Sequence, residues 1–286
     1  MKTYNDVYLT ARRKLRAAGV AAYDLEARLI VAHASGKTRE ELLNSSRLYV
    51  TDNAMLKTMD EVLERRLSGE PVAYIVGEWE FYGLPIIVNE SVLIPRADTE
   101  LLAEQAIKLL KRRAMQTRVL DLCSGSGCIG LAIAANVPTA RIVIADISEA
   151  ALAVCRANML RNRLSRNITA IEVNALEAPP ALLGSFDMIV CNPPYIPSKD
   201  IESLDVSVRS YEPIEALDGG PDGLYFFRAI MTNWVQSLKQ GGWLLFECGM
   251  GQAEDVRGIM ADGGLTGIKT HLDTQDIERV LVGVRN

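Results

Sequence analysis

Two stretches of this sequence pair residue types with spacings that can do chemistry. The first is Asp121-Leu122-Cys123-Ser124-Gly125-Ser126-Gly127-Cys128-Ile129-Gly130, which closes an apolar strand-like run and satisfies GxGxxG at Gly125, Gly127 and Gly130. Glycines so spaced let a strand turn sharply into a helix and let a ligand approach the backbone, as a dinucleotide site requires. Charge separates two candidate ligands. A dinucleotide brings an anionic pyrophosphate to the helix N-terminus and tolerates little negative charge there. S-adenosylmethionine has no phosphate and carries a sulfonium and an ammonium, so Asp121, at the strand end, repels the first and attracts the second. Asp146 ends the next strand and can accept from the ribose hydroxyls of either ligand, so it does not discriminate.

The second stretch is Asn192-Pro193-Pro194-Tyr195, after the fourth strand-like run of the same region. Prolines fix φ and lack an N–H, so the turn is stiff and presents carbonyls outward. A planar NH2 group has two N–H bonds to satisfy. The Asn192 side-chain oxygen and the Pro193 carbonyl can take one each, and Tyr195 can pack on the flat face of the acceptor. Because the lone pair of such a nitrogen is delocalised, orientation is the main obstacle, and positioning can supply up to about 7–11 kcal/mol. The scheme needs no strong general base, in keeping with a supply of two histidines, His33 and His271, neither beside a glycine or proline motif. The turn serves an amide nitrogen or the amino group of adenine equally well, and by itself does not choose.

The surrounding pattern positions both stretches. Residues 1 to about 75 read as helices: Thr38 with Glu41 forms a capping-box pattern, Thr51 or Asp52 opens the next helix, and Gly36 and Gly69 are stops. Stripes at Leu25, Leu29 and Ala32, and at Leu56, Met59, Leu63 and Leu67, predict the faces of a small bundle core. From Val72 to Val92 the residues are β-prone, broken at Gly83-Leu84-Pro85, as in a hairpin. Asp98 or Thr99 caps a further helix. Strands are then expected at Arg118–Cys123, Arg141–Ile147, Ile168–Val173, Phe186–Cys191, Trp243–Cys248 and Arg279–Arg285. Helical patterns fall between most of them, near Ile129–Asn136, Ala150–Arg163, Leu224–Leu238 and Ala253–Ala261. That alternation predicts an α/β fold with a largely parallel sheet covered on both faces, with ligands beyond the carboxyl ends of its strands.

Composition narrows the function. The 286 residues, 49% hydrophobic and 23% charged, suit a soluble globular chain with no difficulty in forming a core. A net charge of −5 disfavours a protein that clamps a phosphate backbone. No signal-like N-terminus and no uncharged span of about 18 apolar residues is present, so neither a membrane nor secretion is expected. The five cysteines include no close pair, which predicts buried thiols in a reducing cytoplasm and no metal site.

Together these motifs resemble the HemK family, the peptide chain release factor glutamine methyltransferases. The resemblance also rests on Glu80-Phe81-Tyr82-Gly83, Leu93-Ile94-Pro95-Arg96 with Thr99-Glu100, Ile196-Pro197, Glu212-Pro213 with Ala216-Leu217, Gly219-Gly220-Pro221-Asp222-Gly223, and Glu247-Cys248-Gly249 with Gln252. It implies a helical substrate-recognition domain over 1–75, a β-hairpin linker over 76–95, and a class I, Rossmann-like methyltransferase domain over 96–286 with a mostly parallel seven-stranded sheet. It implies transfer of a methyl group from S-adenosylmethionine to the glutamine amide of a Gly-Gly-Gln motif in class 1 release factors, with no direct nucleic-acid partner. By the same resemblance Cys123, Ser124, Gly125, Ser126 and Gly127 wrap the methionine end of the cofactor. Asp146 holds its ribose, Asn174 and Ala175 lie by the adenine, and Asn192 through Tyr195 hold the glutamine, with Asn192 also near the cofactor methyl. Two positions depart from the family pattern. Cys123 stands where glycine is frequent, and Asn174-Ala175 where an aspartate and a bulky residue are frequent. Cys123 and Cys191 close the first and fourth strands, which should be neighbours, so both thiols are expected beside the cofactor.

Overall fold

Thr3 and Thr38 each open a helix by the same device. The threonine oxygen accepts from the amide of the third helical residue, and that residue's carboxylate, Asp6 or Glu41, accepts from the threonine amide. Asp52 caps a third helix by accepting from the Ala54 amide at 2.8 Å. Gly36 ends another at φ 63°, a left-handed conformation that glycine adopts without steric cost. The computed structural model describes residues 1–113 and 115–286. In chain order its first elements are helices α1 (Tyr4–Ala17), α2 (Tyr23–Ser35), α3 (Arg39–Ser45), α4 (Asn53–Leu67) and α5 (Val72–Val76). After the hairpin strands β1 (Glu78–Phe81) and β2 (Leu84–Ile87) come α6 (Thr99–Leu110), β3 (Arg118–Leu122), α7 (Cys128–Asn136), β4 (Arg141–Asp146), α8 (Glu149–Arg161) and β5 (Ile168–Glu172). The chain continues with β6 (Phe186–Cys191), α9 (Val206–Arg209), α10 (Tyr225–Asn233), β7 (Leu238–Glu247), α11 (Ala253–Asp262), β8 (Leu265–Leu272) and β9 (Glu278–Arg285).

Two compact units result: Met1–Glu78 with Val206–Tyr211, and Trp79–Asp205 with Glu212–Asn286. The first packs α1, α2, α4 and α5 around Leu15, Ala27, Ile30, Met59 and Leu63. Its α2 and α4 are also joined by a nearly buried fork, Arg66 Nε and Nη2 to the two Glu26 oxygens at 2.5 and 3.2 Å. The fork satisfies both charges where neither reaches much water. Among the described residues no helix is long and apolar enough to cross a membrane.

The second unit carries a seven-stranded sheet of order β5-β4-β3-β6-β7-β9-β8, in which the strands from β5 to β7 run parallel and β9 is antiparallel to both neighbours. Leu120, Leu122, Ile189 and Leu244 face a core completed by Phe227, Ile230 and Trp234 of α10 and its exit, and by Val256 and Met260 of α11. Alternation along β3 therefore turns Asp121 to the opposite face, where α7 lies. The order reverses at β3, whose neighbours β4 and β6 are reached in opposite directions, which opens a crevice beyond the strand ends. The hairpin belongs to this unit from Trp79 onward. Its turn places Tyr82 at φ 51° and Gly83 at φ 76°, both left-handed, and Glu80 accepts from the Gly83 amide at 2.7 Å.

Several local expectations change. Val72–Val76 is helical despite its β-branched residues: Pro71 starts one turn, Gly77 at φ 78° stops it, and Val72, Ala73 and Ile75 are buried. Gly83-Leu84-Pro85 is not the break, since Leu84 and Pro85 already lie in β2. Helix α10 stops at Asn233, and the chain reaches β7 at Leu238 through a short turn of 3-10 helix, Val235–Ser237. Neither Asp98 nor Thr99 caps α6 with its side chain. The Leu25, Leu29, Ala32 stripe is not core either; α2 buries Glu26, Ala27, Ile30 and Val31 instead.

Asn158 of α8 is fully buried and ties three segments together. Its oxygen accepts from the Ile87 amide at 2.6 Å, and its nitrogen donates to the Ile87 and Ser126 carbonyls at 3.0 Å each. Asn158→Ala leaves three backbone groups, one buried and two partly buried, without these partners, so unfolding in denaturant should show a loss of about 1–3 kcal/mol. The slope of the transition should stay unchanged.

Candidate active site

β3, β4, β6 and β7 end side by side at Leu122, Asp146, Cys191 and Glu247. The loop after β3 is shaped by three left-handed residues, Cys123 (φ 58°), Gly125 (φ 52°) and Gly127 (φ 77°). A Cβ on Gly127 would lie 2.6 Å from the Cys155 sulfur, so no side chain fits there. At Cys123 the left-handed φ is one that glycine adopts freely, and a side chain there costs on the order of 1 kcal/mol. Asp146 braces the loop from the next strand: its Oδ2 accepts from the Gly125 amide at 2.8 Å and its Oδ1 from Ser148 at 3.0 Å.

Above these ends lies a cavity of about 760 Å³. Cys123, Ser124, Gly125, Ser126 and Asp146 line one side, Asn174 and Ala175 another, and Asn192 and Pro194 a third. Asp121, Gly127, Pro193 and Tyr195 belong to the same cluster of segments but do not line the cavity. Asn174 folds its amide onto its own turn, accepting from Leu176 at 3.0 Å and donating to Glu177 at 2.8 Å, which leaves one amide hydrogen for a ligand. The Ala175 carbonyl accepts from Trp234 Nε1 at 3.0 Å, which fixes the cavity wall to the core. Leu122 and Cys191 are paired in register, so the two cysteine-bearing strand ends are neighbours as expected. Of these two, Cys123 lines the cavity and Cys191 does not. Cys191 is fully buried, its free thiol beside that of Cys123, and burial pushes its ionisation well up.

The Asn192–Tyr195 corner is held from behind by segments whose motifs had no evident purpose in isolation. Ile196 and Asp218 form a parallel bridge, with Ile196 N donating to Leu217 O at 3.0 Å and Gly219 N to Ile196 O at 2.8 Å. A Cβ on Gly219 would stand 2.7 Å from Tyr195 Cα and 2.8 Å from the Pro194 carbonyl oxygen, and one on Gly223 would stand 2.3 Å from the Tyr195 oxygen. Gln252 closes the ring, donating to the Tyr195 carbonyl at 2.9 Å while accepting from the Gly249 amide at 2.8 Å. The Tyr195 ring lies towards Gly249, where a Cβ would come within 3.2 Å of it. On the opposite flank the buried carboxylate of Glu212 accepts from the Ile94 amide at 3.0 Å and from the Arg96 guanidinium.

Two buried acids change character here. Asp121 accepts from the Gly130 amide at 2.7 Å, while its Oδ1 has no partner among the described residues. Burial raises its pKa to about 8, the Gly130 bond opposing and the Asp146 charge adding to the rise. Glu247 is raised to about 7, first by burial, against hydrogen bonds from Thr99 and Asn192 and the charge of Arg279. In the sequence Glu247 and Gly219 stand out only as parts of motifs, Thr99 also as a candidate helix cap, and Asn158 not at all.

Comparison with known proteins agrees with this arrangement. Residues 6–77 match the PrmC N-terminal domain, and residues 97–207 match the Methyltransferase small domain. A release factor glutamine methyltransferase of Geobacter sulfurreducens is 43% identical over 78% of this chain and 76% of its own length. The chain belongs to the release factor glutamine methyltransferase family. A second relative, from Caulobacter vibrioides, carries the same name and is 36% identical over 98% of this chain and 95% of its own. The hMettl16 catalytic domain, solved with MAT2A 3'UTR hairpin 1, superposes with a TM-score of 0.59 at 16% identity over 90% of this chain and 91% of that one, and so shares the class I fold. As in that family, the methyl donor is S-adenosylmethionine. The cavity fits it: the Ser124 hydroxyl, without a partner among the described residues, and the Asp146 carboxylate line it beside the glycine loop.

Two outcomes follow from the geometry. Gly219→Ala drives a methyl into the backbone of the corner, so the variant should keep donor affinity within about threefold while its turnover falls by about tenfold or more; calorimetry and a methylation assay measure the two. Asp121 binds its proton more tightly folded than unfolded, so it stabilises most below its unfolded pKa of about 4. That contribution is lost as pH rises towards its folded value of about 8. Melting temperature of the ligand-free protein should fall across that window, and Asp121→Asn should flatten the fall.

Proposed function

We propose that this chain transfers the methyl group of S-adenosylmethionine to the side-chain amide nitrogen of glutamine in the Gly-Gly-Gln motif of class 1 peptide chain release factors. One observation carries the reading: a single cavity is lined both by the glycine loop after β3 and by Asn192 and Pro194 of the proline corner. Donor and acceptor sites therefore share one space. The relatives that carry the name release factor glutamine methyltransferase supply the substrate.

Bound S-adenosylmethionine supplies an electrophilic methyl group on a cationic sulfur. We assign its holding to Cys123 through Gly127, Asp146, Asn174 and Ala175, with Asp121 bracing the loop from beneath. The chain's task is then to present a poor nucleophile in one orientation. The Asn192 oxygen accepts an N–H of the glutamine amide, which aims the nitrogen at the methyl group, while Pro193, outside the cavity lining, stiffens the corner behind it. Pro194 walls the site. Tyr195 acts through the shape of the corner, its carbonyl held by Gln252 and its ring filling the side towards Gly249. Methylation leaves a surplus proton on the nitrogen, which becomes more acidic than in the free amide and passes to solvent.

The helical unit is proposed to receive the release factor. It carries a groove of about 660 Å³ among α1, α2 and α3, walled by Tyr4, Tyr8, Tyr23, Leu25, Arg28 and Leu43, with Leu25 and Leu43 more than half exposed. A substrate that is itself a translation protein places the enzyme in the cytoplasm.

Mass spectrometry of a release factor after incubation with the protein and S-adenosylmethionine should find one added methyl on the glutamine of Gly-Gly-Gln. Asn192→Ala should lower that transfer by about a hundredfold while sparing donor binding. Transfer to DNA or RNA adenine with none to the release factor overturns the reading.

A further inference from the structure

An asparagine side chain has nearly the same shape in both orientations about its last bond, yet only one serves here. With Oδ1 towards the acceptor it takes an N–H; with Nδ2 there it sets donor against donor. The turn around Asn192 does not settle the choice, because its prolines constrain the backbone alone. From the geometry we infer that Thr99 and Glu247 are positioning residues that lock the Asn192 amide with its oxygen towards the substrate. This rests on the glutamine-methylating reading above.

The chain of donors runs one way. Asn192 Nδ2 donates to the Thr99 hydroxyl oxygen at 3.3 Å. Thr99 is buried, 3% exposed, and its own O–H needs an acceptor. Glu247 lies beside both: its carboxyl is 1% exposed, and burial raises its pKa while Thr99 and Asn192 each lower it. Its Oε2 has no hydrogen-bond partner among the described residues, so it can take the Thr99 hydroxyl hydrogen. A carboxyl oxygen without a partner accepts, so it draws the Thr99 hydroxyl hydrogen towards itself and leaves that oxygen free to accept from Nδ2. Arg279, ion-paired with Asp98 and Asp273, contributes positive charge that opposes the rise which burial imposes on the Glu247 carboxyl. The arrangement also explains why Thr99 does not cap α6, at whose start it stands. Its hydroxyl is committed to the site.

Thr99→Val keeps the shape and removes the acceptor, while Thr99→Ser keeps the acceptor. With a release factor as substrate, Thr99→Val should lower kcat by about tenfold or more, with KM for the release factor and calorimetric affinity for S-adenosylmethionine within about threefold of wild type. Thr99→Ser should recover kcat to within about threefold of wild type. Should Thr99→Val fail to fold, Glu247→Gln carries the same test, because its amide can meet Nδ2 with a donor; kcat should again fall with KM preserved. Wild-type kcat in Thr99→Val, a loss that appears equally in donor affinity, or a serine variant as slow as the valine overturns the inference. An inactive wild-type protein is a separate result. It removes the proposed substrate before any variant is compared.

Discussion

Two successive prolines deprive a chain of two amide donors in a row, and this constraint organises much of the catalytic unit. Pro193 and Pro194 cannot be tied down through their own N–H groups, so the corner must be secured by what surrounds it. Ile196 is laced to Leu217 and Gly219, Gln252 holds the Tyr195 carbonyl, and glycines at 219 and 223 let two backbones come closer than any side chain permits. Residues spread over sixty positions thus serve one turn. Its rigidity comes from this external lacing as much as from the pyrrolidine rings.

The large repeats of the fold were legible because they rest on patterning. Buried parallel strands read as apolar runs, and Phe186–Cys191 falls at its expected limits. β8 was not legible: Thr266, Gly267, Lys269 and Thr270 give an edge strand with little apolar content, and only its pairing with β9 makes it one. Val72–Val76 misled in the opposite sense, since local β-preference lost to a proline start, a glycine stop and burial of one face. The stripe at Leu25, Leu29 and Ala32 has helical spacing yet faces the groove, while the neighbouring Ala27 and Ile30 face the core. Spacing reveals that a face is apolar and cannot say what covers it.

The site was legible where chemistry coincides with a contiguous motif. Cys123 to Ser126, Asp146 and Asn192 stand around one cavity because each lies at or just after a strand end, and strand ends converge in a sheet of this order. What the sequence hid are partners contributed across long separations. Asn158 bonds Ile87, 71 residues away, and Thr99 bonds Asn192, 93 residues away. A cap residue and a site residue look alike in sequence, so only the fold reveals that Thr99 is the second.

Asn158 holds the end of β2 with one hand and the glycine loop with the other, through three hydrogen bonds of one fully buried amide. A swing of that one side chain releases both segments at once. The order of the hairpin end and of the loop is thereby coupled, and isotope exchange at the Ile87 amide reports on a loop it never touches.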